Sequence, residues 1–115
     1  MAETPLLGPL LAPLLERIER LEALDAIRQL PAKYALALDM RDMDAMVGLF
    51  PADVRVGSSV SGGGASGRAA LRAYMDRTLR SPFTGTSHHI GGHIIEFDDA
   101  TRAHGIVYSK NEHED

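Results

Sequence analysis

The spacing of apolar residues changes along the chain, and each change marks an element. Leu14, Ile18, Leu21, Leu24, Ile27 and Leu30 recur at intervals of three and four, which places them on one face of a helix. Pro31 interrupts that pattern and predicts a kink or a restart near Leu30, after which Tyr34, Leu38 and the run to Met40 continue the helical reading. Residues 1–13 carry Pro5, Pro9 and Pro13 among leucines and read as an irregular arm whose leucines pack on a neighbour. In RDMDAMVGLF, residues 41–50, the apolar positions Met43, Met46, Val47 and Phe50 predict a second, short helix capped by Asp42 and stopped by Pro51.

Beyond Pro51 the period shortens to two. DVRVGSSV, residues 53–60, alternates as a strand does, and SGGGASG, residues 61–67, reads as a flexible loop. Leu71, Tyr74, Met75 and Leu79 make the apolar stripe of a third helix over residues 67–80, ended by Ser81-Pro82. Residues 85–98 form a long strand with a bulge or bend at Gly91-Gly92, residues 98–101 a turn, and residues 102–114 a second long strand antiparallel to the first. The order α-α-β-α-β-β places the chain in the α+β class, as one domain over residues 14–115 preceded by the arm.

Composition narrows the function. A chain of 115 residues holds one modest core. The net charge of −4, with basic residues scattered among acids, gives no footing for nucleic acid or an anionic membrane. The leucine-rich N-terminus has an acid before its leucines and prolines among them, so neither a signal peptide nor a membrane span is expected, and the reading is cytoplasmic. The absence of cysteine removes disulfides, thiolate metal sites and cysteine nucleophiles, and fits a reducing compartment.

The candidate chemistry sits in TSHHIGGHIIEFDD, residues 86–99. Neighbouring strand residues face opposite ways, so His88 and His89 cannot converge on one ion. His89 and His93 share parity, subject to the double glycine between them. No H-E-x-x-H accompanies them, so no metal site is read. A single histidine partnered by a carboxylate would instead make a general base at neutral pH. Asp39, at the end of the apolar run YALALD, either marks a helix end or faces an enclosed cavity, and an enclosed Asp needs a partner. Tyr34 lies five residues earlier, either as an ordinary core aromatic or as a hydrogen-bond donor.

Taken together, YALALDMRDMDAMVGLFPADVRV, the glycine loop, GRAALRAYM and TSHHIGGHIIEFDD resemble the SnoaL-like, NTF2-like superfamily over residues 20–115. The resemblance implies a cone: a curved antiparallel sheet wrapped round N-terminal helices, with a deep apolar pocket. T-x-H-x-I-G-G, residues 86–92, resembles the corresponding strand of the scytalone dehydratases. That similarity marks Asp39, His88 and His113 as catalytic positions, and hexachlorocyclohexane dehydrochlorinase is similar at Asp39 and His88. Both enzymes imply lyase chemistry without cofactor or metal. The pattern departs at Ser58, where a scytalone dehydratase carries a water-orienting tyrosine, and at Leu38, in place of a second pocket tyrosine. A ketosteroid isomerase is similar at Tyr34, but its base would fall near Ser58.

The expected function is therefore an Asp–His elimination of water or halide from a small, partly apolar molecule. Tyr34, Phe50 and Ser58 are the candidate substrate contacts. A non-catalytic binding or assembly domain and a polyketide cyclase are the alternatives. Relatives continue past the second long strand with further strands, whereas this sequence stops at NEHED, so the cone is expected to lack its last strands: either the chain is truncated or a partner completes it, and a homo-oligomer, dimer or trimer, or strand exchange between copies, is expected to cover the open edge.

Overall fold

The structure, a computed structural model, describes residues 7–57, 63–80 and 85–114. Helix α1 spans Leu7–Asp39 and α2 spans Met43–Val47. Strands β1, Arg55–Gly57, and β2, Gly64–Ser66, follow, then helix α3, Arg68–Arg80. Strands β3, Gly85–Phe97, and β4, Ala103–Glu114, form a long hairpin. β1 pairs antiparallel with β2, and β3 with β4, as separate two-stranded sheets among the described residues.

One expectation about α1 needs correction and a second is narrowed. Residues 7–13 are helical, not irregular. Pro9 stands in the first turn, where its missing N–H has no intrahelical acceptor to lose. Pro13 leaves the Pro9 carbonyl without a helical donor, and both residues are exposed, so water can take the bond. At Pro31, where the pattern predicts a kink or a restart, the helix does not restart: α1 runs through it for 33 residues, about 50 Å at 1.5 Å per residue. An interior proline costs about 3 kcal/mol. It is tolerated because continuing the helix carries Tyr34, Ala35, Ala37 and Leu38 into the core.

Helix α1 ends in a Schellman turn. The Asp42 N–H donates to Ala37 O at 2.8 Å and the Arg41 N–H to Leu38 O at 3.1 Å, with Arg41 in the left-handed region at φ 58°. A side chain there is strained relative to glycine. Asp42 then caps α2, its Oδ1 accepting from the Ala45 N–H at 3.1 Å. That cap is where the sequence pattern placed it.

The core joins α1, α2 and α3. Leu38, Met46 and Leu71 are the largest fully buried side chains, surrounded by Met43, Val54, Met75 and Leu79. Of the apolar α1 stripe read from the sequence, only Leu24 and Ile27 are half-buried, while Leu14, Ile18, Leu21 and Leu30 are exposed. The buried face of α1 lies further along. The loop reading of residues 61–67 is also corrected in part, because Gly64–Ser66 pairs with β1. Gly64 stands so close to the Val56 carbonyl that a side chain would collide with it. Residues 58–60 of the expected strand and 61–62 of the expected loop lie outside the described residues.

In the long hairpin, Ile90 pairs with Ser109 and His93 with Val107, so Gly91 and Gly92 stand opposite Tyr108 alone. This is a bulge of two residues against one. It inverts the alternation of β3. Before it, the even positions Thr86 and His88 face the helices. After it, His93, Ile95 and Phe97 are the half-buried positions, while Ile94 and Glu96 are exposed.

Truncating Leu71 to Ala is expected to cost about 2–5 kcal/mol in denaturant unfolding, because α2 and α3 cannot close on the void. Asp42→Ala is expected to cost about 1 kcal/mol, the value of an N-cap.

Candidate active site

The end of α1 is an unfavourable place for a negative charge, because the helix dipole presents its carbonyl end there. Asp39 is the last residue of that helix. Its carboxylate is held by three donors from β3. The backbone N–H of His88 donates to Oδ2 at 2.9 Å, the Thr86 hydroxyl to Oδ1 at 3.1 Å, and the His88 ring contacts Oδ1 through Nδ1 at 2.6 Å. Burial alone would push the Asp39 carboxyl up. The bonds from the His88 backbone, the His88 ring and Thr86, with the attraction of His88, outweigh it and hold the carboxyl below its ordinary value. Asp39 is therefore ionised at neutral pH.

An ionised carboxylate 2.6 Å from Nδ1 fixes the imidazole. Nδ1 carries the hydrogen, and Nε2 is the nitrogen left to accept a proton. The His88 side chain is 11% exposed and the Asp39 side chain 25%. The pair is shielded but reachable.

Arg41 extends the network. Its Nη1 donates to Leu38 O at 2.6 Å and to Thr86 Oγ1 at 2.7 Å. Thr86 thus accepts from the guanidinium and passes its own hydrogen to Asp39. Sequence reading missed both residues. Thr86 was visible in T-x-H-x-I-G-G, and Arg41 in the D-x-R that follows the helix, but only the left-handed turn brings that arginine back to β3.

The hairpin register sets what faces His88. Thr86 pairs with His113, His88 with Asn111, and Ile90 with Ser109. These β4 residues share the face of His88, and with Tyr34, Leu38, Phe50, Met75 and Leu79 they line a cleft of about 520 Å³. The His88 and His113 rings meet edge to face with centroids 6.4 Å apart. Tyr34 meets Phe50 in the same manner at 6.0 Å. Burial, then the neighbouring Tyr74, raises the Tyr34 hydroxyl above its ordinary value, so it stays a donor.

The structure therefore brings Asp39, His88, His113, Tyr34 and Phe50 to one place, the last four as lining of the cleft. Ser58 lies outside the described residues. His89 is exposed on the opposite face, within 3.1 Å of Ser87 Oγ. His93 ends the bulge and is turned inward, against the parity count that paired it with His89, and its buried Nδ1 has no hydrogen-bond partner among the described residues. His104 contacts Asp98 at 2.6 Å and Glu96 at 3.3 Å at the far, exposed end of the hairpin. Among the described residues no group of three or more His, Asp or Glu is placed to hold a metal ion, and no helix is long and apolar enough to cross a membrane.

Residues 19–113 match the profile of the SnoaL-like domain. The chain belongs to that family. Among solved structures, it is similar to a putative scytalone dehydratase from Novosphingobium aromaticivorans, with 28% identity over 85% of this chain and 64% of that one, at a TM-score of 0.76. It is similar also to a hexachlorocyclohexane dehydrochlorinase, LinA type 2, with 18% identity over 84% of this chain and 65% of that one, at a TM-score of 0.78. ActVI-ORFA from Streptomyces coelicolor shares the fold at 18% identity over 81% and 72% of the two chains, with a TM-score of 0.65. No curated protein sequence matches. The SnoaL-like chain is thus an α+β protein of the NTF2-like cone fold, and it spans just under two thirds of the first two of these structures.

The depressed Asp39 carboxyl has a direction in pH. Its contribution to stability is fully present above the ordinary aspartate value, about 3.9, and is lost as pH falls through the lower folded one. Acid unfolding monitored by circular dichroism is expected to begin at higher pH in Asp39→Ala than in the parent chain. Ring ¹⁵N shifts are expected to show His88 protonated on Nδ1 in the parent, and to lose that preference in Asp39→Asn.

Proposed function

We propose that this SnoaL-like domain is a cofactor-independent lyase, of dehydratase type, in which His88 is the general base and Asp39 orients it. The observation that carries the reading is the 2.6 Å Asp39–His88 contact on the wall of an apolar cleft. The 28% identity to a putative scytalone dehydratase supports it.

In this reading Nε2 of His88 removes a proton from carbon next to a substrate carbonyl. The electron pair forms the new C=C bond as the hydroxyl on the neighbouring carbon leaves as water. Asp39 stabilises the imidazolium that forms without taking its proton. His113, across the hairpin, supplies the proton that the departing hydroxyl needs. The Tyr34 hydroxyl, held protonated, donates to the carbonyl oxygen as negative charge builds there. The cleft wall is mostly aliphatic and aromatic, which suits a small, partly apolar substrate, and the elimination itself requires a hydroxyl on the carbon β to a carbonyl.

The test is turnover of a panel of cyclic β-hydroxy ketones, followed by the ultraviolet absorbance of the conjugated product. His88→Ala and Asp39→Asn are each expected to lower kcat by about 10²–10⁴-fold, the usual worth of a positioned base. His89→Ala, on the outer face, is expected to leave it unchanged. A parent chain that binds such ketones, by change in Tyr fluorescence, yet never converts them would replace the lyase by a binding domain.

A further inference from the structure

The amino-terminal half of α1 presents a second apolar stripe that the domain's own core does not use. Every residue from Leu7 to Glu22 is exposed. Within this stretch Leu7, Leu11, Leu14, Ile18 and Leu21 follow one another at intervals of four, three, four and three, and are 43, 45, 52, 49 and 64% exposed. That alternation is the a/d seam of a heptad repeat. The helix meets its own body on another side. The Arg20 guanidinium lies 4.7 Å over the Phe97 ring, and Leu24, Ile27, Tyr34 and Leu38 continue that side into the core. At about 100° per residue the two stripes lie nearly opposite each other. The seam is therefore not a frayed margin of the core.

We propose that this stripe is the seam of a parallel, two-stranded coiled coil formed with a second copy of the same chain. Charge decides the occupant and the direction. With Leu11 and Ile18 at a, and Leu14 and Leu21 at d, Arg17 falls at g and Glu22 at the following e. In a parallel pair, g of one helix meets the next e of the other, so Arg17 of each copy faces Glu22 of the other. The preceding g–e pair is Leu10 with Leu15, which widens the apolar seam. Neither Arg17 nor Glu22 has an ion-pair partner among the described residues. An antiparallel pair would bring g to g and e to e, and would leave both charges unmatched.

Asp25 occupies the next a position, where two carboxylates would face each other, so the seam closes at Leu21. Beyond it the helices are free to part, with the two bodies on the outer sides of the helix pair. The contact is isologous and closes at two copies.

Sedimentation equilibrium of the full chain over a micromolar concentration series tests this. The parent is expected to approach twice 12.4 kDa. Arg17→Glu and Glu22→Arg are each expected to halve that mass with helicity unchanged by circular dichroism. An equimolar mixture of the two variants is expected to restore it, because each mismatched charge then meets its opposite. The chain has no cysteine, so Leu21→Cys reports register directly. It is expected to cross-link to itself on oxidation, while Ala12→Cys, at a b position, does not. A parent that stays monomeric throughout overturns the proposal. So does a parent that associates while the charge-swapped mixture stays monomeric or Leu21→Cys fails to cross-link, since association then uses another surface.

Discussion

A carboxylate at the carbonyl end of a long helix is the constraint round which this fold is arranged. Asp39 would be repelled there by the helix dipole and penalised by partial burial. Donors from one short stretch of β3 remove both difficulties, and in doing so they fix where the long hairpin lies against α1. Because both Asp39 oxygens are held by Thr86 and His88, the strand can neither slide nor turn over without stranding a charge. The hairpin register then carries Asn111, His113 and Ser109 onto the same face as His88. The cleft is a consequence of that anchoring. The turn after the helix contributes too: Arg41 accepts a left-handed backbone and returns its guanidinium to the Leu38 carbonyl and the Thr86 hydroxyl.

Local rules made most of the elements readable. Helical spacing over residues 67–80, the Asp42 cap and the two long strands are all dictated by neighbours within a few residues, and they stand where the pattern places them. The failures have a common physical cause. Pro31 reads as a kink or a restart because its local cost is visible and the burial of Tyr34, Ala37 and Leu38 that offsets it is not. Gly64–Ser66 looks like loop because glycine has poor strand propensity, although its lack of a side chain is what lets it approach Val56.

The site was half readable for the same reason. Asp39 and His88 could be singled out, but forty-nine residues separate them in the chain and only the fold shows their contact. Sequence parity could not place His93 beyond the outer face or the bulge, because the bulge at Gly91-Gly92 moves every later side chain to the other face. Arg41 stands in the D-x-R after the helix, but an arginine there is unremarkable until its backbone turns left-handed.

The two apolar faces of α1 separate the tasks of one helix. Its carboxyl-terminal half is committed to the core and ends in the charge that binds β3. Its amino-terminal half, exposed at every residue from Leu7 to Glu22, meets the body where Arg20 lies over Phe97. A helix of 33 residues exceeds what this small core needs. A helical segment exposed on all sides gains little from its own domain, since helix propensity alone is marginal at this length. With three prolines in or near its first turns it gains less still. An apolar seam in heptad register, flanked by a matched Arg17 and Glu22, supplies the missing tertiary stabilisation only when a second helix lies along it. Burying that seam leaves the cleft face of the domain untouched, because the pocket-lining side of α1 is the one nearly opposite.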